Sequence, residues 1–164
     1  DTDTDTDYVI FEATVSATST DEWVYFDLET KTVVTPETPD DSMEWDMAFR
    51  RTEIKINGGV SGTGGAEGAY FPTHYDNFDQ HTLAPPHGWG TDFEDSDGDG
   101  KPEYVFAGWY DYNPDTHEVT PADILYFFKS TDNIFYRMRF LSYYDASSGE
   151  GGHITLQAGN VDGF

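Results

Sequence analysis

Residues 95–103 read Asp-Ser-Asp-Gly-Asp-Gly-Lys-Pro-Glu. Asp95, Asp97 and Asp99 put carboxylates at loop positions 1, 3 and 5, with the Lys101 carbonyl at position 7 and Glu103 at position 9. Oxygen donors at that spacing suit a hard cation of high coordination number, which means calcium. Gly98 and Gly100 let the backbone wrap where side chains would clash. The match to a full helix-loop-helix calcium loop stops at position 12, which is Phe106 and not a bidentate Glu. A strand-like run over 103–112 follows, where that motif would carry a helix. The expectation is therefore a short calcium loop in a β protein, stabilising the fold without being an activity in itself. The plainer alternative is an acidic turn without an ion, since Asp and Gly both favour turns.

Other chemistries find no support. The chain has no nucleophile elbow, no cysteine and no zinc-protease helix motif. The glycine-rich stretch at 58–68 lacks the Gly-Lys-Ser/Thr ending of a phosphate loop. Carboxylate pairs carry no information in a chain with 32 Asp and Glu. The reading is a non-enzyme. Arg137 and Arg139 share one strand face and are expected to pair with carboxylates across strands, or else to anchor a ligand carboxylate. Met43, Met47 and Met138 are expected to fill the core.

Eight Lys and Arg against those 32 acids give a formal charge of −24 over 164 residues. Such a surface repels phosphate backbones and anionic bilayers, so no nucleic-acid partner and no direct membrane insertion are expected. Salt would screen the self-repulsion, so this charge is easier to carry in salty water. An exported domain without cysteine lacks disulfides, and calcium is the natural substitute. The opening run Asp-Thr-Asp-Thr-Asp-Thr-Asp reads as a mature end already cut, with residues 1–7 a polar tether and 8–164 one β domain.

Strands must position these groups. Runs at 8–15, 22–28 and 32–35 have β character, the last two forming a hairpin. Two joined runs fill 43–57. Residues 58–68 hold six glycines and are expected to be a flexible loop. Residues 72–94, with Pro72, Pro85 and Pro86, read as a long surface loop of the kind that often carries function. Further strands are expected at 103–112, 124–129, 133–144 and 153–158. Only 121–128 offers even one turn of helix.

Three blocks resemble the HmuY family, the secreted and lipid-anchored haem-binding proteins of Bacteroidetes. The first is Glu-Trp-Val-Tyr-Phe-Asp-Leu from Glu22, with Val33 and Val34. The second is Glu-Trp-Asp-Met-Ala-Phe-Arg-Arg from Glu44, continuing through Glu53-Ile54-Lys55-Ile56-Asn57 into the glycines. The third is Ala-Gly-Trp-Tyr-Asp-Tyr from Ala107, followed by the runs at 124–128 and 133–140 and by Tyr143-Tyr144-Asp145. Asp79, Gln80, Thr82, Pro85, Gly88 and Trp89 add a weaker echo. Together the blocks span most of 8–158.

The resemblance implies an all-β, single antiparallel domain with long loops, export to the cell surface or beyond, and capture of haem or a similar ligand for iron uptake. It also implies an outer-membrane receptor as a partner. The family's two His ligands are not retained in place. One belongs in a segment before the Ala-Gly-Trp block, which is short here and holds the acidic loop instead. The other falls near Asn113 or Pro114, and His117 stands three residues beyond. Read from the residues alone, His117 is the leading haem-ligand candidate, with His74, His81 or His87 of the long loop as a second imidazole. The competing expectation is a calcium-stabilised structural, adhesive or filament-forming subunit that has lost haem binding, pairing sheet edges with its neighbours.

Overall fold

A computed structural model describes residues 9–71 and 73–164; the run 1–7, expected above to be a tether, lies outside the described residues. Eleven strands are described: β1 (Ile10–Ser16), β2 (Val24–Asp27), β3 (Thr32–Val34), β4 (Met47–Arg50), β5 (Glu53–Ile56), β6 (Glu67–Phe71), β7 (Tyr110–Asn113), β8 (Glu118–Pro121), β9 (Leu125–Lys129), β10 (Phe135–Tyr144) and β11 (Gly151–Val161). They form a five-stranded sheet in the order β1-β11-β10-β9-β6, a four-stranded sheet β3-β2-β4-β5 and the two-stranded β7-β8. Every strand pair is antiparallel. The fold is all-β, and its few helical residues are short 3-10 turns, the longest at Tyr75–Gln80.

Period-two alternation explains the layering. Ile154, Leu156 and Ala158 of β11 face inward with Met138 and Phe140 of β10. They meet Phe26, Met47, Phe49, Ile54 and Ile56 of the four-stranded sheet in one cluster, completed by Phe106 and Trp109. The outer face of the five-stranded sheet is also covered. Leu125 and Phe127 of β9 pack with Phe78 of the Tyr75–Gln80 turn and with Ala84 and Val161. Strands buried on both faces need apolar residues at nearly every position, and β9 reads Leu-Tyr-Phe-Phe-Lys for that reason.

Arg137 and Arg139 do share a face, and their role there is to fasten the covering turn. Arg137 donates to the Phe78 and His81 carbonyls, both at 3.0 Å. Arg139 donates to Gln157 Oε1 at 2.8 Å and the Tyr75 carbonyl at 3.3 Å. Both guanidinium groups lie over the Phe78 ring at 4.8 Å.

Several local expectations are corrected. The stretch 58–68 is an ordered turn leading into β6, because Asn57 organises it. Asn57 Nδ2 donates to the Ser42 and Trp45 carbonyls, and Asn57 Oδ1 accepts from Gly64 N at 3.0 Å. A Cβ on Gly62 or Gly64 would come within 2.1 or 2.6 Å of the Asn57 side chain, so these glycines serve close approach. The run 103–112 is a strand only from Tyr110. Before it the chain turns twice to bury Phe106 and Trp109, whose Nε1 donates to the Thr52 carbonyl at 2.7 Å. Residues 121–128 contain no helix, since β8 ends and β9 begins there. Met47 and Met138 are fully buried, but Met43 is 55% exposed.

Candidate functional site

The acidic loop hangs from a bridge between Phe93 and Glu103, whose backbones exchange hydrogen bonds of 3.1 and 2.9 Å. Gly98 and Gly100 have φ of 83° and 86°, as the tight wrap requires. The loop brings Asp95, Asp97 and Asp99 together: one carboxylate oxygen from each lies within 4.8 Å of the others. Asp95 accepts from Gly98 N at 2.7 Å and Gly100 N at 2.8 Å, which holds its pKa below the ordinary carboxylate value. Glu103 Oε1 accepts from the Ser96 hydroxyl and amide, with the same effect. Lys101 Nζ reaches Glu53 Oε1 at 2.6 Å, tying the loop to β5.

Two clefts open beside that tie. The first, about 490 Å³, is lined by Arg50, Arg51, Glu53, Asp97, Asp99 and Lys101 among others. Three of the chain's eight cationic side chains meet there. The second, about 500 Å³, shares Arg51, Thr52 and Tyr110 with the first and adds Tyr112, His117, Val119, Tyr143, Tyr144 and Gly151. This tyrosine cleft has the size of a small-molecule site. Among the described residues no Asp or Glu lines it, in a chain with 32 of them.

Each wall has a cause. β7 and β8 form a hairpin whose turn holds His117 at φ 59°. In β10 the register shifts between Phe140 and Ser142 and again before Tyr144. This bulge breaks the alternation that sends Tyr136, Met138 and Phe140 into the core, and brings the adjacent residues Tyr143 and Tyr144 to the same cleft. The Tyr144 hydroxyl accepts from Val119 N at 2.8 Å, docking β8 against the bulge. Burial raises the pKa of Tyr143, and the nearby Arg51 charge acts in the opposite direction.

The structure separates the four candidate imidazoles. His117 lines the tyrosine cleft, and its Nδ1 shares a 2.6 Å hydrogen bond with the Tyr112 hydroxyl. His74 caps the start of the Tyr75–Gln80 turn and bonds Asp123 at 2.7 Å. His81 closes that turn, edge-on to Phe127, and His87 is exposed on the following loop. None of these three lines either cleft.

Comparison with known proteins assigns the lineage. The family model described as HmuY protein matches residues 19–157. This chain belongs to the HmuY family. Among solved structures it is similar to an apo HmuY analog from Tannerella forsythia, at 16% identity and TM-score 0.71, covering 93% of this chain and 96% of that one. A Bacteroides fragilis protein described as a lipoprotein aligns at 18% identity and TM-score 0.64, covering 91% and 89%. A Bacteroides vulgatus protein described as HmuY-like and heme-binding aligns at 21% identity and TM-score 0.64, covering 94% and 93%. At these identities the structures establish a shared fold. No curated protein matches the chain. No helix among the described residues is long and apolar enough to cross a membrane.

Sequence reasoning missed Arg51, Tyr143 and Tyr144 as cleft residues of this HmuY-family chain. The bulge that aims the tyrosines leaves no mark in composition. It also missed two buried carboxylates that hold the frame. Asp46 accepts from Leu28 N at 2.9 Å and from Thr131 N at 2.9 Å, pinning turns of both large sheets. Burial pushes its pKa up to about 6, with Asp27 sharing a hydrogen bond. Asp92 accepts from Ile56 N and Val105 N, and burial raises its pKa too.

Proposed function

We propose that this chain is a non-enzymatic binding protein of the cell surface or exterior that holds haem or a similar planar ligand in the tyrosine cleft. The observation that carries this reading is the cleft itself: four tyrosines and one histidine, with no acid among its described lining. Aromatic faces stack on a tetrapyrrole, and a lining without acids does not repel its propionates. His117 Nε2 has no hydrogen-bond partner among the described residues. For Nε2 to ligate iron, Nδ1 must carry the proton and donate it to the Tyr112 hydroxyl, the arrangement that orients a metal-bound imidazole. Haem would supply the iron; the protein supplies orientation and exclusion of water. His74, His81 and His87 take no part in this reading. Residues 1–7 act as a tether for the β domain at 8–164, and an outer-membrane receptor would receive the ligand.

Titration with hemin, followed by absorption spectroscopy, tests this. A sharp, stoichiometric Soret band is expected, and His117→Ala should shift or abolish it. A broad free-hemin spectrum for the wild type rules out a haem carrier.

The 95–103 loop belongs to the proposal as a structural calcium site, with Asp95, Asp97, Asp99, the Lys101 carbonyl and Glu103 as ligands. The convergence of three carboxylates supports it. Adding calcium to chelated protein should raise the melting temperature, and Asp97→Asn together with Asp99→Asn should remove that rise. An unchanged melt would leave the loop an acidic turn.

One observation favours the second reading, an assembling structural or adhesive subunit. β1 is the outer strand of the five-stranded sheet and has no strand pairing on its other side among the described residues. Light scattering across a concentration series would show growth if that edge recruits a neighbour.

A further inference from the structure

Arg51 is unusual in its surroundings. Three features combine there. Its backbone is left-handed at φ 53°, as the two-residue turn between β4 and β5 requires, which fixes where the side chain leaves the hairpin. Its guanidinium lies at the boundary of both clefts. It has no carboxylate within ion-pair distance among the described residues, although acids outnumber bases fourfold.

The neighbours explain why it is left over. The carboxylate two residues on, Glu53, has both oxygens committed. Oε2 accepts from Arg50 at 2.7 Å and Oε1 from Lys101 at 2.6 Å. Arg51 Nη1 instead donates to the Thr18 carbonyl at 3.2 Å, and its guanidinium stands 6.0 Å from the Tyr143 ring centroid. A neutral carbonyl and an aromatic ring hold the fork in place without cancelling its charge. No other arginine, no lysine and no acid lines the tyrosine cleft among the described residues.

We propose that Arg51 is the anion anchor of the tyrosine cleft and selects planar ligands that carry a carboxylate. This deepens the binding function proposed above and rests on it. A guanidinium fork recognises a carboxylate through paired charge-assisted hydrogen bonds, which a neutral ester cannot match. The anchor acts on the ligand's acid edge and not on its metal. Iron-free protoporphyrin IX should therefore bind through the same contact, and the diacid should be preferred over its dimethyl ester.

The test uses the whole chain and three probes: hemin, protoporphyrin IX and protoporphyrin IX dimethyl ester. Fluorescence quenching gives the affinities. The wild type should favour the diacid over the diester by roughly tenfold. Arg51→Asn keeps a residue that tolerates positive φ. It should weaken hemin and diacid by a similar factor, leave the diester unchanged and erase the discrimination. Arg51→Lys should restore part of it. An unchanged melting temperature confirms that the Asn variant folds. Equal binding of diacid and diester by the wild type, or equal hemin affinity in Arg51→Asn, overturns the anchor while leaving the binding function standing. No binding of any probe by the wild type overturns both.

Discussion

At the scale of single residues, the fold relies on carboxylates placed where water cannot reach them. Asp46 is completely buried, and its pKa is raised to about 6 from an ordinary value near 4. A group whose folded pKa is raised stabilises the fold most when both states are protonated. The contribution is present below about pH 4 and is lost as pH rises through about 6. The melting temperature should therefore fall between those limits. Asp27 shares Asp46's hydrogen bond, and Glu29 with Asp132 forms a second carboxyl pair nearby, Glu29 being raised to about 7. Asp46→Asn should flatten this dependence. It should also cost about 1–3 kcal/mol at pH 5, because one amide end turns a donor toward a donor. A pH slope as steep as the wild type's would exclude Asp46 as its source. None of this is visible in a sequence where acids are everywhere. The convergence of Asp95, Asp97 and Asp99 was legible because they alternate within five residues. The availability of Arg51 was not, because it depends on Lys101 reaching back 48 residues to Glu53.

Among the elements, the strands with strong alternation and the β2–β3 hairpin were readable, since side-chain direction there follows sequence parity. Two segments misled for opposite reasons. The apolar run 103–109 resembles a strand in composition but is a pair of turns around Phe106 and Trp109. The glycines at 58–68 resemble a flexible linker but pack against Asn57. Gly64→Ala tests the latter point. Its Cβ would lie 2.6 Å from both Asn57 Nδ2 and Thr131 Cγ2. The substitution should destabilise the protein by about 1–3 kcal/mol in denaturant unfolding. A neutral outcome would mean that the segment yields freely and is a linker after all. Gly65→Ala is the wrong control despite its open surroundings, because φ there is +75°.

For the whole molecule, the formal charge of −24 dominates. The few cations are gathered at the clefts or spent on fastening, so most of the surface repels itself. Raising ionic strength shortens the screening length from about 30 Å at 0.01 M to about 3 Å at 1 M. The melting temperature should rise by several degrees over that range, and sodium chloride and potassium chloride should act alike. A flat response would show that the acids lie too far apart to strain the fold.

Among the described residues β1 pairs with β11 alone, with Ile10 opposite Gly159 and Ser16 opposite His153. The sheet is thus closed by the contacts most distant along the chain, and contacts of that kind slow folding. A polypeptide emerging from a ribosome cannot seat residues 10–16 until 151–161 have also emerged. The half-made chain has no finished five-stranded sheet, and that sheet locks only once β11 has arrived.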